Sequence, residues 1–253
     1  MNWPAEFGSL ETSLLVILVL VAGIVRGYTG FGLSAVAITI GSIVFSPLAL
    51  VPVLYLLEIV ASVHMLKSVH RDIDRPLLLG LLIGCAIGMP AGQELLLWLP
   101  VDATRVALYL IVIFAAAIVR FGYVFRIEAN WRTGIAIGIA AGLASGLAAL
   151  GGLITMIALL GIAYDVVRAR ATMVAMFFVL YVYGTGIGVM NGITTSSSLI
   201  IAGALVLPLF LGVALGQKGF LRTSPERFRQ IMLGFLAVMA AGGILRVGLG
   251  GGL

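Results

Sequence analysis

Apolar runs separated only by short charged loops fill this chain from residue 13 onward, and no polar stretch is long enough to make a soluble domain. Charged residues are 10% of the chain, against about 25% in soluble domains. That pattern predicts an all-α polytopic membrane protein with the lipid bilayer as its main partner. The net charge of +5 then reads as loop charge that sets membrane orientation, so no nucleic-acid partner is expected. Residues 1–11 carry Glu6 and Glu11 but no Lys or Arg, so they lack the basic start of a cleaved signal peptide. Cys85 is the only cysteine, which excludes an intrachain disulfide. His64 and His70 are the only histidines, and neither HExxH nor GxxxxGK[ST] occurs. No metal, cofactor or enzymatic activity is expected.

Two units break the rule of one run, one crossing. Residues 13–25 and 33–45 are each shorter than the ~20 residues a crossing needs, and Arg26-Gly27-Tyr28-Thr29-Gly30-Phe31-Gly32 lies between them. Together they are too long for one crossing and too short for two. This predicts two half-helices meeting at an irregular, charged tip. The pattern returns at 134–144 and 153–163, around a small-residue break at 145–152. Ordinary helices are predicted at about 48–66, 77–98, 104–120, 170–190, 199–216 and 230–246.

Positive charge tests the topology. If all eight units crossed, Lys and Arg other than Arg26 would divide 7 to 7 between the two sides. If 134–163 enters and returns on one side, they divide 12 to 2, leaving only Arg105 and Arg246 outside. The positive-inside rule favours the second arrangement, with basic loops cytoplasmic and both termini outside. For the first unit charge is silent, and internal symmetry decides. Ala22-Gly23-Ile24-Val25-Arg26-Gly27 matches Ala141-Gly142-Leu143-Ala144-Ser145-Gly146, and Gly92-Gln93 matches Gly216-Gln217. The chain therefore divides into two inverted repeats, 1–128 and 129–253, each a re-entrant hairpin plus three transmembrane helices. Inverted repeats with interrupted helices place a transport site near the midplane, between the breaks.

Residues 27–32, residues 146–152 and Arg170-Ala171-Thr172 resemble the TauE/SafE family of sulfite and sulfonate exporters, over essentially the whole chain. Members typically carry more glycine in the first motif, where this chain has Leu33-Ser34. The resemblance implies a secondary transporter of the bacterial inner membrane that exports a small sulfur-containing anion.

Arg26 leads the candidate residues. A guanidinium stays charged at working pH, so its burial demands a partner, either a substrate oxyanion or Glu58. Backbone N–H groups around Gly27, Gly30 and Gly32 would add donors, and Thr29 a hydroxyl. Ser145, Gly151 and Gly152 hold the matching place in the second break. Glu58, near the middle of its helix, is either a proton carrier or a counter-ion to Arg26. Gln93 and Gln217 recur in both halves and bond to ligand or to backbone. Arg170 is assigned to the cytoplasmic mouth, with gating as its candidate role. Small-residue faces are compatible with a homo-oligomer and do not specify one.

Overall fold

The structure, a computed structural model, describes residues 9–121, 129–162, 164–223, 227 and 234. Among these the regular elements are nine α-helices and one 3₁₀ turn, His70–Asp72. In chain order the helices are α1 Ser9–Thr29, α2 Leu33–Gly41, α3 Pro47–Val69, α4 Arg75–Trp98, α5 Val101–Phe121, α6 Trp131–Ala148, α7 Gly151–Gly161, α8 Val166–Met190 and α9 Ser196–Phe220. The chain thus folds as the expected all-helical membrane protein. Six helices (α1, α3, α4, α6, α8 and α9) are long and apolar enough to cross a bilayer. The helix expected at 230–246 lies, but for residue 234, outside the described residues.

Several helices begin a few residues before their apolar runs, because a polar cap precedes each run. Asp74 accepts from the Leu77 amide at 3.0 Å, and Asp165 from the Arg168 amide at 2.8 Å. Asn130 accepts from the amides of Arg132 and Thr133. Thr195 and Ser198 form a reciprocal capping box that starts α9. α8 accordingly opens at Val166 rather than at 170.

Both interruptions are present, but their limbs are unequal. α1 runs 21 residues and α2 only nine; α6 runs 18 and α7 eleven. The expectation of two short limbs in the first unit is therefore corrected. The helix continues past the apolar run through Arg26 to Thr29, since Arg26 finds buried partners and need not end it. Gly30 and Gly32, at φ +83° and +93°, then turn the chain as only glycine does readily. In the second break Ala149 takes the left-handed turn at φ 56°.

Glycine decides which helices pair. Gly80, Gly84, Gly88 and Gly92 form one face of α4, and Gly134, Gly138, Gly142 and Gly146 one face of α6. A Cβ on Gly88 would fall 2.2 Å from the Ile139 carbonyl oxygen, and one on Gly146 2.3 Å from that of Met89. The two backbones are in direct contact. Gly23 and Gly27 of α1 meet Gly212 and Gly216 of α9 in the same way. Thus α1 pairs with α9 as α6 pairs with α4, and the matched motifs occupy matched contacts. α3 and α8 fill the centre, where Tyr55 lies against Tyr181 with ring centroids 5.1 Å apart. Large apolar side chains such as Ile17, Ile87, Phe114 and Leu207 cover the outside, facing lipid.

Candidate functional site

Arg26, Thr29, Ser34, Glu58, Ser62, Ser145 and Arg170 are buried polar residues that gather at the two breaks. Arg26, on the last turn of α1, is fully enclosed. Its Nε approaches Glu58 Oε2 at 3.1 Å, Nη2 donates to Ser62 Oγ at 2.7 Å, and Nη1 donates to the Gly30 carbonyl. Its guanidinium carbon lies 4.6 Å from the centre of the Phe177 ring. The other Glu58 oxygen accepts from the Ser34 hydroxyl at 2.8 Å and the Ser34 amide at 3.2 Å. Glu58 therefore sits at the N-terminus of α2, the place where a helix attracts an anion. Thr29 is used locally: its hydroxyl accepts from the Phe31 amide and donates to the Phe31 carbonyl.

Arg170 departs from its expected place. It does not stand in the open mouth but reaches 143 residues back along the chain to the first break, donating to the Gly27 carbonyl at 2.8 Å. It is 6% exposed and lies over the Phe220 ring of α9, 4.2 Å from its centre. Gly30 leaves room for it, since a Cβ there would meet Arg170 Cγ at 2.4 Å. The exposed basic mouth belongs to Arg71, Arg75 and Arg168, which with Asp72 and Asp74 line a cleft of about 450 Å³.

The second break is held by tyrosines. Tyr55 donates to the carbonyls of Ser145 at 2.7 Å and Gly146 at 3.2 Å, and Tyr181 to that of Ala149 at 3.3 Å. The Ser145 carbonyl also accepts from the Ala149 amide at 2.8 Å, so Tyr55 adds a second donor there and serves carbonyls at the end of α6, where the helix supplies fewer amides. Ser145 Oγ is buried without a hydrogen-bond partner, against Gly151, where a Cβ would strike it at 2.0 Å. Gly152 faces Phe177 and Phe31, and a Cβ there would lie 3.4 Å from Phe31 Cβ. The two breaks thus touch through Phe31 and Gly152. Phe177, Tyr181 and Tyr55 form an aromatic column from Arg26 to the second break.

The structure thus assembles Arg26, Gly27, Thr29, Gly30, Gly32, Glu58 and Arg170 at the first break and Ser145, Gly151 and Gly152 at the second. The glutamines divide. Gln93 Nε2 donates to the Gly184 carbonyl at 2.8 Å, whereas Gln217 Nε2 is buried without a partner. The sequence reading gave no role to Tyr55 or Phe177. Tyr55 carries no local signal; that of Phe177 is its pairing with Tyr181 four residues on, which shares its face of α8.

Fold and site define a multi-pass helical membrane protein in which two interrupted helices meet around buried cations. The family model described as Sulfite exporter TauE/SafE matches residues 15–242, and the chain belongs to that family. It is a membrane transporter of a family that exports sulfur-containing anions, not an enzyme. No curated protein and no solved structure matches the chain.

Proposed function

We propose that this protein exports sulfite or a small organosulfonate across the cytoplasmic membrane, holding the anion between the two helix breaks near the midplane. The observation that carries this reading is the contact of Phe31 with Gly152, which brings both breaks and two buried guanidiniums into one locale. The α7 N-terminus, with the unpartnered Ser145 hydroxyl beside Gly151, supplies donors from the other side. The matched pairings α1–α9 and α6–α4 suit two inverted repeats that rock against each other, with basic loops cytoplasmic. A negative-inside potential then favours export by about 2.3 kcal/mol per charge per 100 mV, roughly a 50-fold gradient.

The test is efflux from proteoliposomes loaded with sulfite, taurine, isethionate or chloride. Saturable efflux of the sulfur anions, faster with a negative interior, is the expected result. Movement of cations instead, or of no sulfur anion, refutes the reading. A second reading is a carrier for another small ion, coupled to protons through Glu58. What favours it is Glu58 seated on the Ser34 amide and hydroxyl, where an anion would otherwise bind. Transport by Glu58→Gln that no longer responds to a pH gradient would select it.

A further inference from the structure

Two arginines are buried at the first break, and among the described residues only one has a counter-ion. Arg26 is met on every side, by Glu58, Ser62, the Gly30 carbonyl and the Phe177 face. Arg170 has the Gly27 carbonyl and the Phe220 face, and its Nε is buried without a partner. The ion pairs among the described residues are Arg26–Glu58 and Arg105–Asp102, so no described carboxylate neutralises Arg170. Two described acids flanking α8 and α4 are engaged elsewhere. Asp165 caps its own helix, and Asp74 accepts from the Leu77 amide and the Tyr164 hydroxyl. A buried cation without an anion is costly to hold, and a guanidinium cannot escape by losing its proton.

A second unmet donor lies on the same side. Gln217 stands three residues before Phe220 on α9, so it shares the helix face that carries the ring under Arg170. Its Nε2 is buried and unbonded. The adjoining Gly216 packs directly on Gly27 and Tyr28 of α1, which keeps this face of α9 against the first break.

We propose that Arg170, assisted by Gln217, is the anion-binding cation of this transporter, and that Arg26 is a structural cation already neutralised by Glu58. The proposal rests on the transport reading above and names the group that takes the charge. A planar guanidinium fork with an added amide N–H suits a compact oxyanion presenting two or more oxygens, as sulfite and sulfonates do, better than a spherical halide.

The experiment measures binding of sulfite, methanesulfonate and chloride to the full chain in nanodiscs of neutral phosphatidylcholine, where no anionic headgroup competes. Arg170→Gln should weaken oxyanion binding roughly 10- to 100-fold. Arg170→Lys, which keeps the charge and loses the fork, should recover only part of it. Gln217→Leu should weaken binding several-fold. Its native amide donates no bond to the protein, so this variant stays informative even if Arg170→Gln fails to fold. Arg168→Gln, exposed on the first turn of the same helix, controls for general positive charge and should change affinity less than about twofold. If the wild type binds oxyanions and the variants at 170 and 217 bind equally well, Arg170 is overturned while the transport reading stands. If the wild type binds no oxyanion, both fall.

Discussion

The glycine contacts between α4 and α6 make a sharp prediction, because one chemical change should have opposite signs at two positions. Gly84→Ala places a Cβ 2.2 Å from the Ile135 carbonyl oxygen, 2.6 Å from the Ile139 nitrogen and 2.8 Å from the Gly138 carbonyl carbon. All three are backbone atoms, so no side chain can swing aside. The helices must separate by about 1 Å to restore an ordinary contact, and that opens the interface at Gly80, Gly88 and Gly92 as well. Overpacking of this kind costs about 1–3 kcal/mol. At Gly203, on the exposed side of α9, an added Cβ meets nothing within 4 Å. There alanine only improves helix propensity and should stabilise by about 0.5–1 kcal/mol. The two variants should therefore differ by roughly 1.5–4 kcal/mol, at least tenfold in the folded-to-unfolded ratio. Reversible unfolding of the detergent-solubilised protein, followed by tryptophan fluorescence, measures this directly. Equal stability of Gly84→Ala and Gly203→Ala would refute the assignment of the α4–α6 contact to close backbone approach.

Three further predictions follow from the breaks and their flanking loop. Glu58→Gln strands a buried guanidinium and should destabilise by about 3–5 kcal/mol, while the double variant Arg26→Gln/Glu58→Gln should lose less; a double variant as unstable as the sum of both singles would contradict a coupled pair. Tyr55→Phe removes the side-chain donor to the Gly146 carbonyl and leaves the Ser145 carbonyl with the Ala149 amide alone, and should cost about 1–3 kcal/mol in the same unfolding assay, against less than about 0.5 kcal/mol for Tyr183→Phe on an exposed face. In the loop before α8, burial and then the hydrogen bond to Asp74 raise the Tyr164 phenol above its ordinary 10. Its contribution to stability is complete below pH 10 and fades only as pH rises through the higher folded value, so ultraviolet titration at pH 10 should find wild type less ionised than Tyr164→Phe plus one free tyrosine would be.

The helices and their breaks were legible because each is written locally. A run of apolar residues, a capping Asp, Asn or Thr, and glycines inside an apolar segment all act within a few positions. The matching glycine motifs were legible for the same reason, since Gly23 and Gly27 align with Gly142 and Gly146 by spacing alone. What stayed hidden depends on which helix lies beside which. Arg170 looks like one more loop-flanking arginine, and its bond to Gly27 joins residues 143 apart. Tyr55 meets Ser145 across 90 residues, and nothing near Tyr55 in the chain announces it. The outcome for Arg26 was open for a related reason. Its demand for a partner is a property of the residue, whereas the choice of Glu58 is set by where α3 crosses α1.

The two breaks also differ in chemistry although they occupy matched places. Ser145, Phe177 and Tyr181 each stand 119 positions after Arg26, Glu58 and Ser62. The first half fills these positions with an ion pair and a hydroxyl; the second fills them with a hydroxyl and two aromatic rings. The substitution removes charge from one break and supplies the ring that supports Arg26 in the other. Each break is further tied by a side chain from the opposite half, Arg170 to the Gly27 carbonyl and Tyr55 to the Ser145 and Gly146 carbonyls. If the halves rock, these cross-half bonds must break or be exchanged, at about 0.5–3 kcal/mol each. An oxyanion on Arg170 would compete with the Gly27 carbonyl for the same guanidinium. Anion binding would then loosen the very bond that rocking has to break, and the free energy of one step would be spent on the other.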